Sequence, residues 1–142
     1  MRAETYLKQI EKLDALIENK QAEVMRWREI ANNTSVNMSG ERVGSSGSHD
    51  AMANAICTYL DLEREEIDSY IAKRKEIIQT MERLPPTYYK VLHKKYVEYE
   101  DFKTLKDIAA YYDNSCSWAR TTHERALRQI QKILDEREKN ER

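Results

Sequence analysis

The chain has 142 residues, which is room for one ordinary domain or two small ones. It is 35% charged and 40% apolar with only 3 Gly and 2 Pro, a composition that favours long, charge-covered helices over a sheet protein or a disordered chain. The net charge of -1 gives no global basic field that would point to nucleic acid. The two widely separated cysteines argue against a zinc site or a disulfide framework. No apolar run resembles a signal peptide or a membrane span, so we expect a cytoplasmic protein.

Residues 3–31 are predicted to form the first long helix. Their apolar side chains recur at alternating steps of four and three residues, with Lys20 at the one missing step. A stripe this narrow is typical of a helix that packs against a single partner helix. The stripe consists of Tyr6, Ile10, Leu13, Ile17, Val24, Trp27 and Ala31.

The segment 32–49 holds all 3 glycines of the chain and is rich in Ser and Asn, so a loop is predicted there. Residues 50–83 then show a second helical stripe, which Glu63 and Arg74 interrupt. Two long helices joined by a loop predict an antiparallel, coiled-coil-like hairpin.

A single pair of helices leaves part of each apolar stripe uncovered. Leu7, Leu16 and Ile30 lie off the main seam, and packing two hairpins into a bundle would bury them. We therefore expect a homodimer or higher oligomer formed through the hairpin, although a rigid spacer is the simpler interpretation of the same helices.

The dipeptide Pro85-Pro86 ends the second helix, because neither proline has an N–H to donate and Pro85 disfavours helical geometry at Leu84. This places a domain boundary between the hairpin, 1–86, and a C-terminal module, 87–142. The first part holds 12 Lys and Arg against 15 Asp and Glu, a net charge of 12 − 15 = −3, and the second holds 12 against 10, a net charge of +2.

Three helices are predicted in the module: 88–99 with Thr87 as its cap, 104–112, and 116–138. The second and third are separated only by the short polar turn Asp-Asn-Ser.

The residues around this turn have the chemistry of a helix-turn-helix. Ala109 is the small residue that lets the two helices touch, and Asp113 tolerates the left-handed conformation that the turn requires. Ser115 is the predicted cap of the last helix, and Thr104 with Asp107 forms a capping box on the helix before it. The module is therefore expected to be an all-α, three-helix, helix-turn-helix domain.

The stretch YYKVLHKKYVEYEDFKTLKDIAAYYDNSCSWARTTHERALRQIQKIL resembles region 4 of bacterial sigma-70-type factors. That family has an apolar helix, then T-L-x-[ED]-[IV]-[AG], a turn ending in Ser or Thr, and a recognition helix running into x-x-A-L-x-x-[LI]. Residues 104–109 and 125–128 fit the two ends at the right separation.

The whole chain also resembles small phage-encoded regulators of the ArpU/RinA type, in which a helical hairpin precedes a sigma-like module. The resemblance rests on GERVGSSGSHDAMANAI and the acidic segment DLEREEID that follows it. It implies a phage or prophage transcriptional regulator, most simply a late-gene activator, that binds duplex DNA through the recognition helix 116–134 and has host RNA polymerase as a further partner.

The candidate DNA-binding residues lie along the first half of the last helix. Those that match the positions through which sigma region 4 reads its promoter, which we call the reading positions, are Cys116, Ser117, Trp118 and Thr121. None is a long hydrogen-bonding side chain, so bidentate Arg–guanine contact is absent from them. Arginines are expected to anchor the DNA backbone. The candidates are Ser115, Cys116, Ser117, Trp118, Arg120, Thr121, Arg125 and Arg128.

Other functions are open on the sequence alone. Because the reading positions lack long polar side chains, the module also suits docking on RNA polymerase or another regulator without reading DNA. A DNA-packaging adaptor is a further alternative, since such a protein would be helical and oligomeric too. The three histidines have no partners at metal spacing, and Cys116 has no catalytic base beside it, so we expect no enzyme activity, cofactor, metal or membrane partner.

Overall fold

The computed structural model describes the backbone of residues 1–38 and 46–142 and the side chains of residues 1–32 and 51–142. Every regular element in these ranges is helical, as the composition predicted. The helices are α1 (Ala3–Met38), α2 (Ser46–Glu82), α3 (Pro86–Leu92), which continues into a π-helical turn (His93–Val97), α4 (Leu105–Tyr111) and α5 (Cys116–Glu141).

Both ends of the predicted loop 32–49 are helical. Helix α1 continues to Met38 and α2 begins at Ser46, so only the central part of the predicted loop, residues 39–45, lies outside the described residues. Asn, Ser and Thr lower helix stability by only about 0.5 kcal/mol each, and extending an existing helix avoids the cost of a new nucleus. The prediction from local composition therefore placed the end of the first helix too early and the start of the second helix too late.

The chain divides into two compact units. The first unit combines Met1–Asp14 with Lys73–Arg142, and the second unit is Ala15–Ala72. The boundary predicted at residue 86 lies inside the first unit, because the start of α1 and the end of α2 pack with the C-terminal helices. The prolines end a helix there without ending a compact unit.

Every described helix contributes buried side chains to the core of the first unit. Leu7 is fully buried in it, which corrects the expectation that a second hairpin is needed to cover this side chain. The reason is that the C-terminal module covers a second face of α1. Other fully buried side chains in this core are Ile10, Met81, Val91, Leu92, Ile108, Ala119, Ala126 and Ile130.

Polar contacts also connect α5 to the beginning of the chain. The Arg137 guanidinium donates to the Tyr6 hydroxyl at 3.2 Å and to the buried Thr80 hydroxyl at 2.8 Å. The Gln131 side chain accepts a hydrogen bond from the Ala3 backbone N–H at 2.8 Å. These bonds fix α5 lengthwise against α1 and α2, because each one joins specific atoms and tolerates little sliding.

In the second unit only two helices pack together, and they run antiparallel. Trp27 contacts Tyr59 edge to face at 5.7 Å between ring centroids, and further along α1 in the N-terminal direction Lys20 pairs with Glu63 at 3.1 Å and with Glu66. Lys20 and Glu63, which interrupt the two apolar stripes, therefore meet each other, and the two hydrogen bonds raise the pKa of Lys20.

Candidate nucleic-acid interface

The start of α4 has the capping box that the sequence predicted. The Thr104 hydroxyl accepts a hydrogen bond from the Asp107 N–H at 3.3 Å, and the Asp107 carboxylate accepts one from the Thr104 N–H at 3.2 Å. The two bonds satisfy backbone donors that have no partner within the helix. They fix where α4 begins.

The turn between α4 and α5 also matches the prediction. Asp113 has φ = 51°, the left-handed conformation, and is the single non-glycine residue with positive φ in the described chain. The Ser115 hydroxyl accepts from the Trp118 N–H at 3.0 Å, which caps α5, and Ala109 is buried where α4 meets α5. We call residues 104–128 the corner; its two helix starts and its turn are each set by local bonding.

The helix before the corner begins differently from the prediction. Thr87 was expected to cap it, but α3 starts at Pro86, Pro85 occupies the capping position, and no side chain caps the helix. Proline at the first helical position needs no cap for its own nitrogen and has φ preset for the helix. The hydroxyl of Thr87, an exposed residue, is therefore not used for capping.

Helix α5 has one buried face and one exposed face. Ala119, Thr122, Ala126 and Ile130 are buried. Seven of the eight candidate DNA-binding residues are exposed, and the eighth, Trp118, is half-buried. The exposed seven are Ser115, Cys116, Ser117, Arg120, Thr121, Arg125 and Arg128.

Helical spacing places these exposed residues of α5 on one stripe and on its two sides. Ser117, Thr121 and Arg128 lie on one outward stripe, with Arg120 and Arg125 on opposite sides of it. None of the three arginines takes part in an ion pair between described residues. A single acid, Glu124, shares the exposed face over residues 115–134, where four basic residues give a net charge of 4 − 1 = +3.

Trp118 is a boundary residue between core and surface. The rings of Trp118 and Tyr112 pack edge to face, with their centroids 6.0 Å apart. The sequence alone had left open whether Trp118 is a core residue or a DNA contact. It is itself one of the reading positions, and it also lines an open hollow with Thr87, Lys90, Tyr112 and Asn114. Sequence reasoning did not place these last four beside Trp118, because nothing near Thr87 and Lys90 in the chain marks their proximity to the start of α5.

Another lysine near the corner is occupied by structural contacts. The Lys94 ammonium lies 4.3 Å from the centroid of the Tyr111 ring, 5.0 Å from that of Phe102, and 3.0 Å from a Glu98 oxygen. Burial alone would lower its pKa, but the bond to Glu98 and the charge of that carboxylate raise it. This lysine therefore stays charged and holds α4 to the π-helical turn.

On the inner side of α5, the Tyr96 hydroxyl lies 2.8 Å from His123 Nε2, and the two rings stack with centroids 5.8 Å apart. Burial lowers the pKa of His123, and the nearby Lys95 lowers it further, against the smaller opposing effect of Glu4 and Glu124. The imidazole is consequently neutral at pH 7 and acts as a packing and hydrogen-bonding group.

Neither a metal centre nor a membrane helix was found in the described ranges. No three His, Cys, Asp or Glu side chains in them are placed to hold a metal ion. Likewise, none of the helices described is both long and apolar enough to cross a bilayer.

Comparisons of the chain with known protein families, with curated proteins and with solved structures found no match.

Proposed function

We propose that this protein is a transcriptional regulator that binds duplex DNA through α5. The observation that carries the proposal is the exposed face of that helix, next to a turn fixed by Ser115 and Asp113. Small polar side chains on this face lie among three arginines that form no ion pair with any described residue. A helix presented in this way suits the major groove. The sequence resemblance to sigma region 4 supports the same assignment.

The contacts would divide into anchoring and reading. Arg120, Arg125 and Arg128 would bind phosphates, which positions the helix without reading sequence. Ser117 and Thr121 are short and would reach base edges only on close approach, and Cys116 and Trp118 would pack on thymine methyl groups. Sequence selection would therefore be modest and would depend on groove shape as well as on hydrogen bonds.

The biological setting is proposed from sequence resemblance alone. The similarity to ArpU/RinA-type regulators favours a phage or prophage gene activator acting in the bacterial cytoplasm. In that setting the second unit would join two or more copies, because it leaves Met25, Leu62 and Ile71 exposed on a helix pair. A dimer would place two corners on paired half-sites.

The proposal is tested by selecting bound sequences from a random duplex pool and measuring their affinity by fluorescence anisotropy. Arg120→Ala/Arg128→Ala should weaken binding on the order of 10-fold or more, and affinity should fall steeply between about 50 and 200 mM salt. A double variant of exposed arginines in the second unit, Arg26→Ala/Arg64→Ala, removes the same charge and should bind nearly as well as the unaltered protein. Absence of binding at low salt would overturn the proposal.

A second candidate function follows from the short side chains at the reading positions. Cys116, Ser117 and Thr121 are short and exposed. The exposed Tyr111 at the end of α4 packs edge to face with Tyr112, which packs in the same way with Trp118. A surface of this kind suits docking on RNA polymerase or another regulator. Complex formation through such a contact would depend much less on salt than DNA binding does.

A further inference from the structure

The hollow beside Trp118 has a lining suited to an anion. It occupies about 230 Å³ between the start of α3 and the turn that precedes α5, and its walls are Thr87, Lys90, Tyr112, Asn114 and Trp118. This volume exceeds the roughly 30 Å³ of a single water and is below the roughly 300–1,000 Å³ of small-molecule pockets. It suits one chemical group of a larger ligand.

Every lining side chain can donate a hydrogen bond, and no carboxylate is among them. Lys90 carries a positive charge and is exposed, with no ion pair to another described residue. The Asn114 amide oxygen already accepts from the Ser115 N–H at 3.1 Å, so its NH₂ group faces away from that bond as a free donor. Thr87 and the Trp118 indole supply further donors.

A larger hollow elsewhere in the first unit is a poorer anion site. It measures about 450 Å³, but its lining mixes Lys8, Lys95 and Lys103 with the carboxylates of Glu11 and Glu100. Those acids compete with a bound anion for the lysines and repel it. The absence of a carboxylate from its lining thus distinguishes the hollow beside Trp118.

We propose that this hollow holds one backbone phosphate of the DNA that α5 binds, with Lys90 as its charged ligand and Thr87 and Asn114 as neutral donors. The inference rests on the proposed function and adds a second anchoring point, contributed by α3. Trp118 lines the hollow and is itself a reading position, so a phosphate held there would press the first turn of α5 against the adjacent bases. Lys90 would then influence which bases are read without touching them.

The test measures affinity for the best-retained duplex from the random pool at several salt concentrations. Lys90→Ala should weaken binding about five-fold and reduce the slope of log affinity against log salt by about 0.9, the value for one lost phosphate contact. Lys90→Arg should restore most of both, and Thr87→Val should weaken binding about two-fold with an unchanged slope. Lys139→Ala, which removes an exposed lysine at the far end of α5, is the matched control.

Replacing single phosphates of the duplex by uncharged methylphosphonates locates the contact. One position should weaken the unaltered protein and leave Lys90→Ala unaffected, because that contact is already lost. If Lys90→Ala binds like Lys139→Ala while Arg120→Ala/Arg128→Ala binds weakly, the inference fails and the proposed function stands. If the unaltered protein binds no DNA, both fail.

A free anion is the remaining alternative occupant. Inorganic phosphate is titrated against the full-length protein while the Trp118 indole resonance is followed by NMR. A shift at millimolar phosphate, together with no effect of Lys90→Ala on DNA affinity, would mean a small-anion site and overturn the DNA assignment. A shift with DNA that Lys90→Ala abolishes would support it.

Discussion

The two compact units each contain part of α1 and part of α2, yet they reach different degrees of burial. In the first unit several helices surround Leu7, Ile10 and Ile130, which are completely buried. In the second, two helices bury few side chains among the described residues, namely Val24, Ile56 and Ile67. The difference shows that a helical stripe alone does not make a core; a third element must cover it.

The largest expected effect comes from the same substitution made once in each unit. Ile10→Ala should lower the free energy of unfolding by about 3–4 kcal/mol, because Ile10 is 0% exposed and surrounded on all sides. Ile67→Ala should cost roughly 1–2 kcal/mol, since Ile67 is 8% exposed and the gap at a two-helix contact can close or fill with water. Urea unfolding followed by circular dichroism measures both.

If Ile10→Ala and Ile67→Ala lowered the free energy of unfolding equally, the two units would not differ in burial, which would indicate that another copy covers the second unit. Sedimentation equilibrium decides this point. If copies associate through residues 15–72, the protein should sediment at a multiple of the chain mass, and Leu62→Glu, at a position 56% exposed within one chain, should return it to the monomer. A monomer at every concentration would contradict the proposed oligomer.

A smaller effect is expected at the start of α5. Ser115→Ala removes the hydroxyl that accepts from the Trp118 N–H and should cost about 1 kcal/mol of stability. Ser117→Ala, two residues on and equally exposed, removes a hydroxyl that caps nothing and should change stability by less than about 0.5 kcal/mol. If both substitutions cost the same, the cap does not determine where α5 begins.

The smallest effect is a pH dependence confined to the first unit. The pKa of His123 is lowered in the folded state by burial, so the unfolded chain binds more protons as the pH falls below its ordinary value of about 6.5. The stabilising contribution of the neutral imidazole is thus complete above that pH and is lost as the pH falls toward the lowered pKa. His123→Gln should reduce the loss of unfolding free energy between about pH 7.5 and 5.5. An unchanged difference would refute this role.

The sequence predicted features whose cause is local. Thr104 and Asp107 bond to each other's backbone, Ser115 bonds to a residue three positions on, and Asp113 turns the chain through its own φ. All-helical architecture likewise followed from composition and periodicity. The exposed arginines of α5 could be placed because its buried positions recur at helical spacing.

Features that depend on distant parts of the chain were missed. Leu7 is off the stripe that faces α2, and only the position of the C-terminal helices explains its burial. Lys90 reaches the hollow beside Trp118 through tertiary packing of α3, which no spacing rule encodes. The π-helical turn His93–Val97 follows no pattern that we can identify in the sequence.

The first compact unit is discontinuous, and this has a consequence for how the protein folds. Its segment Met1–Asp14 is synthesised well before the α5 residues that contact Met1, Ala3 and Tyr6. Leu7 and Ile10 therefore stay uncovered while the residues between them and α5 are synthesised. Such long-range closure slows folding, and it means that a nascent chain truncated before Gln131 and Arg137 would lack the contacts that fix α5.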